Sequence, residues 1–208
     1  IKSGSVVELG RDKKGYAVFS SPGMIETELN ILDTLKAGKG TVEPIMSRDE
    51  AHSFIEKFQK ENGYTLTDGQ KDLFTEVMTT DNQFVLSQGN AGTGKTTVFK
   101  AVRQAVEGAG YSLEGYSKTG KAAHEFMSAT GSFAQTVDGH VLQRETEGKN
   151  LSRENTIRVI DEASMLGSIQ TLKEIEFAQQ DGARIVMIGD IKQLQSLDAG
   201  RTFRDCQE

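Results

Sequence analysis

The sequence predicts an α/β fold: a parallel sheet with helices on both faces, preceded by a small β-hairpin and helical region. Two observations carry this expectation. Apolar strand signals near residues 84–87, 112–116, 157–160 and 184–188 alternate with helix-forming segments, as a doubly wound domain requires. The first of them, Phe84 to Leu86, runs into Gly89-Asn90-Ala91-Gly92-Thr93-Gly94-Lys95-Thr96, which fits the P-loop pattern G-x-x-x-x-G-K-[ST], and a helix-friendly segment from Thr97 to Glu107 follows.

Taken in order, Ser5 to Leu9 and Tyr16 to Phe19 alternate apolar and polar residues around the charged turn Gly10-Arg11-Asp12-Lys13-Lys14-Gly15, a hairpin pattern. A helix opens at Ser21-Pro22-Gly23. Met24, Ile25, Leu29, Ile31, Leu32 and Leu35 recur along it at helical spacing, and Gly38 and Gly40 stop it. Ser47-Arg48-Asp49-Glu50 is a capping box for a second helix with Ala51, Phe54, Ile55 and Phe58 on one face. Residues 1–62 are expected to form this lead-in and residues 63–208 the main domain. There, Leu66-Thr67-Asp68-Gly69-Gln70 starts a helix with Leu73, Phe74, Val77 and Met78 turned inward. Tyr111 to Tyr116 is a strand, followed by Ser117-Lys118-Thr119-Gly120-Lys121 and a helix from Ala122 to Met127. Phe133 to Val137 reads as a further short strand, and residues 144–155 as a polar surface loop. The last two strands end in Asp161-Glu162 and Gly189-Asp190.

The bulk numbers bound the function. The 208 residues suffice for one sizeable α/β domain plus an appendage, and 26% charged and 36% hydrophobic residues are an ordinary soluble composition. Cys206 is the one cysteine, so an internal disulfide is excluded and a reducing compartment is expected. No apolar run reaches the length of a membrane span, and no signal peptide opens the chain. It begins at Ile1 rather than Met and reads as a piece of something longer. A net charge of −6 argues against coating DNA by bulk charge but leaves room for a local basic track.

Chemistry is expected where the strands end, because ligands in open α/β sheets bind outside the carboxyl ends of the strands. The glycines of the loop Gly89 to Thr97 let backbone N–H groups turn inward around phosphates, and the following helix offers its positive end. Lys95 adds a point charge for the β- and γ-phosphates of ATP, and the Thr96 hydroxyl is placed to ligate Mg²⁺. Asp161, at a strand tip, can hold the same Mg²⁺, and Glu162 can orient or deprotonate the attacking water. Read alone, the two acids would sooner be a cap for the helix that follows near Ala163; paired with the P-loop, 161 − 95 = 66 residues earlier, the metal and water reading prevails. Gln193 would sit near the γ-phosphate if its strand lies beside the one carrying Asp161. Gln70 carries an amide able to donate to and accept from an adenine edge.

In their order along the chain these stretches resemble superfamily 1 helicases of the RecD-like branch, over about residues 64–203. Leu66 to Gln70 resembles the adenine-reading glutamine motif, and Gly89-Asn90-Ala91-Gly92-Thr93-Gly94-Lys95-Thr96-Thr97 the first motif. Lys118-Thr119-Gly120-Lys121-Ala122-Ala123 and Gln135-Thr136-Val137-Asp138-Gly139-His140 are similar to the single-strand-contacting elements. Asp161-Glu162-Ala163-Ser164 and Gly189-Asp190-Ile191-Lys192-Gln193-Leu194-Gln195 resemble the second and third motifs. With Met24 to Leu32 and Gly38-Lys39, the chain looks closer still to the helicase part of TraI-type conjugative relaxase–helicases. The resemblance implies a RecA-like P-loop fold and 5′→3′ DNA unwinding in plasmid transfer. It makes Thr119, Gly120, Lys121 and Thr136 candidate contacts to single-stranded DNA. It further implies a second RecA-like lobe and a relaxase domain in the same parent chain, conjugation-machinery partners and a cytoplasmic, bacterial setting. No relaxase motif is present, and the second lobe lies outside these residues. Asp138-Gly139 stands where relatives are more apolar.

The expectation is therefore the motor lobe of an ATP-dependent DNA helicase. The competing class is a nucleotide-binding recruitment module that does not turn over ATP. A P-loop kinase or GTPase is disfavoured because no Asn-Lys-x-Asp guanine-reading motif occurs.

Overall fold

The computed structural model describes residues 6–11, 15–88, 94–147 and 155–189, with Lys95 and Thr96 placed through their helical backbone. The chain opens with the expected hairpin, β1 (Val7–Arg11) and β2 (Ala17–Ser20), paired antiparallel with a bulge between Glu8 and Gly10. Helices α1 (Pro22–Ala37), α2 (Arg48–Asn62) and α3 (Asp68–Thr79) follow. Their starts are set by side-chain caps. Ser21 accepts from the Met24 N–H, and Ser47 and Thr67 form reciprocal capping boxes with Glu50 and Gln70.

The remaining elements alternate: β3 (Phe84–Gln88), α4 (Lys95–Gly108), β4 (Ser112–Ser117), α5 (Gly120–Thr130), β5 (Phe133–Thr136), α6 (Val137–Glu147), β6 (Thr156–Asp161), a 3₁₀ turn (Ala163–Met165), α7 (Ser168–Asp181) and β7 (Arg184–Gly189). Five strands form one sheet in the order β3-β7-β6-β4-β5, every neighbouring pair parallel. This is the expected α/β fold with a parallel sheet. The strand after β6 inserts between β3 and β6, so β7 does lie beside the strand carrying Asp161.

Because side chains alternate along a strand, the sheet has two cores. Val85, Leu113, Ile157, Val159, Val186 and Ile188 point to one face, where α2, α3 and α4 pack with Phe58, Phe74 and Phe99. Phe84, Tyr116, Ile160, Ile185 and Met187 point to the other, covered by α1 and α7 through Ile31, Ile175 and Ala178. Near-continuous apolar strands are what burial on both faces demands.

One expectation is corrected. Residues 144–147 of the polar loop foreseen over 144–155 belong instead to α6, which continues to Glu147; residues 148–154 lie outside the described residues. The helical stripe of α6 is Val137, His140 and Arg144, all buried. Two of its three members are polar, so the segment shows no apolar period. Leu29, on the stripe expected of α1, is 55% exposed.

The turns that return the chain to the sheet share a device. Gly110, Gly131, Asn155 and Gly182 precede β4, β5, β6 and β7, and each has a positive φ, from 58° to 80°. A single left-handed residue ends the preceding segment and re-aims the backbone.

Candidate functional site

Parallel register brings the candidate residues to one edge. Gln88 is level with Gly189, and Ser117 is level with both Asp161 and Thr136. The chain therefore leaves the sheet for the P-loop, for Lys118 to Lys121, for Val137 and for Glu162 along a single carboxyl-terminal edge. Gly89, Asn90, Ala91, Gly92, Thr93 and Gln193 lie outside the described residues.

Gly94 caps α4 in the left-handed conformation, φ 68° and ψ 35°, and its carbonyl accepts from the Thr97 N–H at 2.9 Å. Among the described residues no side chain caps α4, and its first turn holds no acidic residue. The helix thus presents backbone donors without an internal anion, whereas α1, α2, α3 and α5 have theirs served by Ser21, Ser47, Thr67 and Thr119. Lys95 and Thr96 form the first helical turn.

Gln70 reaches this loop. Its Nε2 donates to the Gly94 carbonyl at 2.9 Å while its Oε1 accepts from the Thr67 N–H at 3.0 Å. The amide expected to face an adenine thus also ties the start of α3 to the end of the P-loop. A Cβ on residue 94 would fall 2.6 Å from Gln70 Nε2, so glycine there answers both to backbone sign and to this contact.

Asp161 ends β6, and its Oδ1 accepts from the Glu162 N–H at 2.9 Å. Glu162 lies in the left-handed region, φ 57° and ψ 34°, and its side chain does not cap the 3₁₀ turn behind it. For a non-glycine residue that conformation costs about 1–2 kcal/mol. A pair of acids serving only as a cap has no need of it. The strain turns the chain sharply at the strand tip, a signal that residue types alone do not carry.

At the next strand end, Thr119 Oγ1 accepts from the Ala122 N–H at 3.2 Å as the cap of α5, and Gly120 is that helix's first residue. Lys121 is 87% exposed, with Glu125 at 3.8 Å. Thr136 Oγ1 accepts from the Gly139 N–H at 3.1 Å and starts α6. Lys118 is half-buried. Its Nζ donates to Gln170 Oε1 at 3.0 Å and lies 3.6 Å from Asp138 Oδ2. Gln170 was not foreseen, and Asp138 was noted only as a departure from more apolar relatives. Gln170 sits three residues after Gly167, at capping-box spacing, and that spacing is the signal that could have flagged it.

Beneath this edge, between the sheet and α6 and α7, runs a buried charged cluster. His140 Nδ1 is 2.9 Å from Glu174 Oε1, Arg144 makes two bonds to Asp181 at 2.9 and 3.0 Å, and Arg158 also donates to Asp181. Tyr116 donates to Glu114 at 2.8 Å; burial, then the Glu114 carboxylate, push its phenol far above the ordinary range. Arg158 lines a cavity of about 140 Å³ together with Glu114, Gln135, Gln143 and the rings of Tyr116 and Phe133. Its Nε and Nη1 have no partner among the described residues, and the space suffices for waters of roughly 30 Å³ each.

The residues present fit a nucleotide with its metal. An uncapped helix start follows the glycine loop, and a carboxylate stands on the neighbouring part of the same sheet edge. Among the described residues no cluster of three or more His, Cys, Asp or Glu could hold a metal by itself. No helix of the described residues is long and apolar enough to cross a membrane.

Comparison with known families agrees. Residues 65–208 match the AAA domain family. The chain is 33% identical over 209 residues to the probable conjugal transfer protein TraA of Sinorhizobium fredii, covering 98% of this chain and 18% of that protein. It is 34% identical over 202 residues to the multifunctional conjugation protein TraI of Escherichia coli K12, covering 92% of this chain and 11% of the relative. It is 34% identical over 122 residues to the ATP-dependent RecD2 DNA helicase of Deinococcus radiodurans, covering 57% and 17%. The chain thus spans less than a fifth of the length of these relatives. These matches bear out the resemblance to RecD-like helicases and TraI-type proteins.

Proposed function

The chain belongs to the AAA domain family, and from that premise we propose that residues 63–208 are the first RecA-like lobe of an ATP-dependent DNA helicase acting in conjugative transfer. The observation that carries this reading is the arrangement of one sheet edge. An uncapped α4 start and the strained Asp161–Glu162 turn stand together there with two loops suited to a single strand.

In this reading the backbone donors of Gly89 to Thr97 cradle the phosphates of ATP, and Lys95 offsets their charge. Gln70 reads the adenine. Thr96 and Asp161 hold Mg²⁺, which supplies further neutralisation of phosphate charge when bound. Glu162 takes the proton of the attacking water as a new bond forms to the γ-phosphorus and the bridging P–O bond breaks. Gln193 senses the γ-phosphate. Thr119, Gly120, Lys121 and Thr136 contact the sugar–phosphate backbone, which positions a strand without reading its sequence. A second RecA-like lobe closes the cleft, a relaxase domain of the same parent supplies the nicked strand, and the whole works with the conjugation machinery in the bacterial cytoplasm, translocating 5′→3′.

ATP turnover by the full-length protein, with and without single-stranded DNA, tests the reading. Stimulation by the strand is expected, and Lys95→Ala is expected to abolish turnover, a loss of at least about 100-fold by analogy with removal of one preorganised charge-stabilising group. Undiminished turnover in that variant would withdraw the assignment. Nucleotide binding without any response to DNA would instead mark a recruitment module.

A further inference from the structure

We propose that Gln170 is a positioning residue that holds the two candidate strand-contacting loops and the Glu162 turn in one arrangement, so that strand occupancy reaches water activation. The inference rests on the helicase reading above and adds to it a residue outside every motif of the sequence.

The geometry is specific. Gln170 lies in the first turn of α7, and its single amide touches three separate segments. Oε1 accepts from Lys118 Nζ at 3.0 Å, on the loop between β4 and α5, and from the Gly167 N–H at 3.3 Å. Nε2 donates to Asp138 Oδ1, in the first turn of α6 behind Thr136. Gly167 closes the segment that begins at Glu162, and that segment is tight. The Met165 N–H donates to the Glu162 carbonyl at 2.8 Å and the Leu166 N–H to the Ala163 carbonyl at 3.1 Å. A displacement of either loop is therefore passed through one side chain to a turn already held in a strained conformation.

The charges support the same role. Lys118 has Asp138 at 3.6 Å, with 27% of its side chain exposed, so its charge is largely spent within the protein rather than on a phosphate. Asp138 is 62% exposed on an edge assigned to a polyanion. Lys118 and Gln170 hold that carboxylate and offset its repulsion of phosphate. Breaking the cluster releases an acid beside Thr136 and frees the Glu162 turn simultaneously.

The test uses the full-length protein, with ATP turnover measured without DNA and at saturating oligodeoxythymidylate. Gln170→Ala is expected to lower the ratio of stimulated to unstimulated turnover by about fivefold, within the range of coupling changes such positions produce. The exchange Asp138→Asn with Gln170→Glu keeps an amide facing a carboxylate and an acceptor for Lys118. It is expected to restore the ratio to within about twofold of the parent. An unchanged ratio in Gln170→Ala overturns the proposal. So does a fall of both rates in equal proportion, which marks an ordinary helix cap, or failure of the exchange to restore the ratio. A parent that shows no stimulation at all overturns the helicase reading itself.

Discussion

The two faces of the central sheet solve the same burial problem differently. Towards α4 the strands present Leu113, Ile157, Val159, Val186 and Ile188, closed by aromatic contacts such as Phe99 against Phe126 at 5.6 Å. Towards α6 and α7 the same strands present Glu114, Tyr116 and Arg158 among the apolar residues, and the helices answer with His140, Arg144, Glu174 and Asp181. The contrast is visible within β6 alone, where Ile157 and Val159 enter one core and Arg158 points into the other among charges. An apolar face stabilises by area and tolerates rearrangement. A paired ionic face adds little net stability, since desolvation offsets attraction, but it leaves few alternative placements for its helices. Here that face carries α6 and α7, whose first turns hold Asp138 and Gln170. The charged core fixes where those two residues stand.

The sharpest test of this contrast is Asp181→Ala. It leaves the buried guanidiniums of Arg144 and Arg158 without their shared acceptor. The expected loss is about 3–5 kcal/mol, read by denaturant unfolding. Replacing Arg144, Arg158 and Asp181 together by Leu, Met and Leu is expected to recover most of that loss, because the whole ionic set is removed. A triple variant as unstable as the single one would break the comparison. On the apolar face, Gly115→Ala would set a Cβ 2.3 Å from the Phe126 ring and is expected to cost about 1–3 kcal/mol by overpacking. A neutral result there would mean that the ring yields and that this core is looser than its counterpart.

The smallest effect belongs to Glu76, which lines a cavity shared with Arg48 and His52 of α2. Burial raises its carboxyl above the ordinary 4.5. The folded state therefore holds its proton more tightly than the unfolded state. Its favourable contribution is present below the ordinary value and is lost as pH rises through the raised one. Glu76→Gln should flatten that part of the Tm–pH curve. An identical curve would remove Glu76 from the pH dependence.

What could be read from residues alone follows the same division. Apolar runs betray strands buried on both sides, so all four main strands stood close to their observed places. The P-loop spacing is a local signal and needed no partner. The charged face was opaque, because His140 and Arg144 become interior residues only through Glu174 and Asp181, 34 and 37 positions away. Without those partners α6 shows no stripe. Gln70 was noticed for its amide, but its bond to Gly94 spans 24 residues and could not be foreseen. The left-handed Glu162 is a property of the backbone, invisible in two acidic letters. For Gln193 and Gly89 to Thr93 the expectation stands as made, outside the described residues.

The left-handed residues that return the chain to the sheet have a practical consequence. Gly110, Gly131, Asn155 and Gly182 all lie at the amino-terminal edge, opposite the strand ends that carry Asp161 and Thr136. That edge is a set of reversals with no chemistry assigned to it. It is where the polypeptide can be nicked, lengthened or given a reporter with least effect on the working edge. A fluorophore inserted after Gly110, where Gly108, Ala109 and Gly110 are all exposed, would sit across the sheet from the candidate site, while remaining joined by α4 to Gly94 and by β4 to Ser117. It would report strain in the fold while standing clear of the substrate.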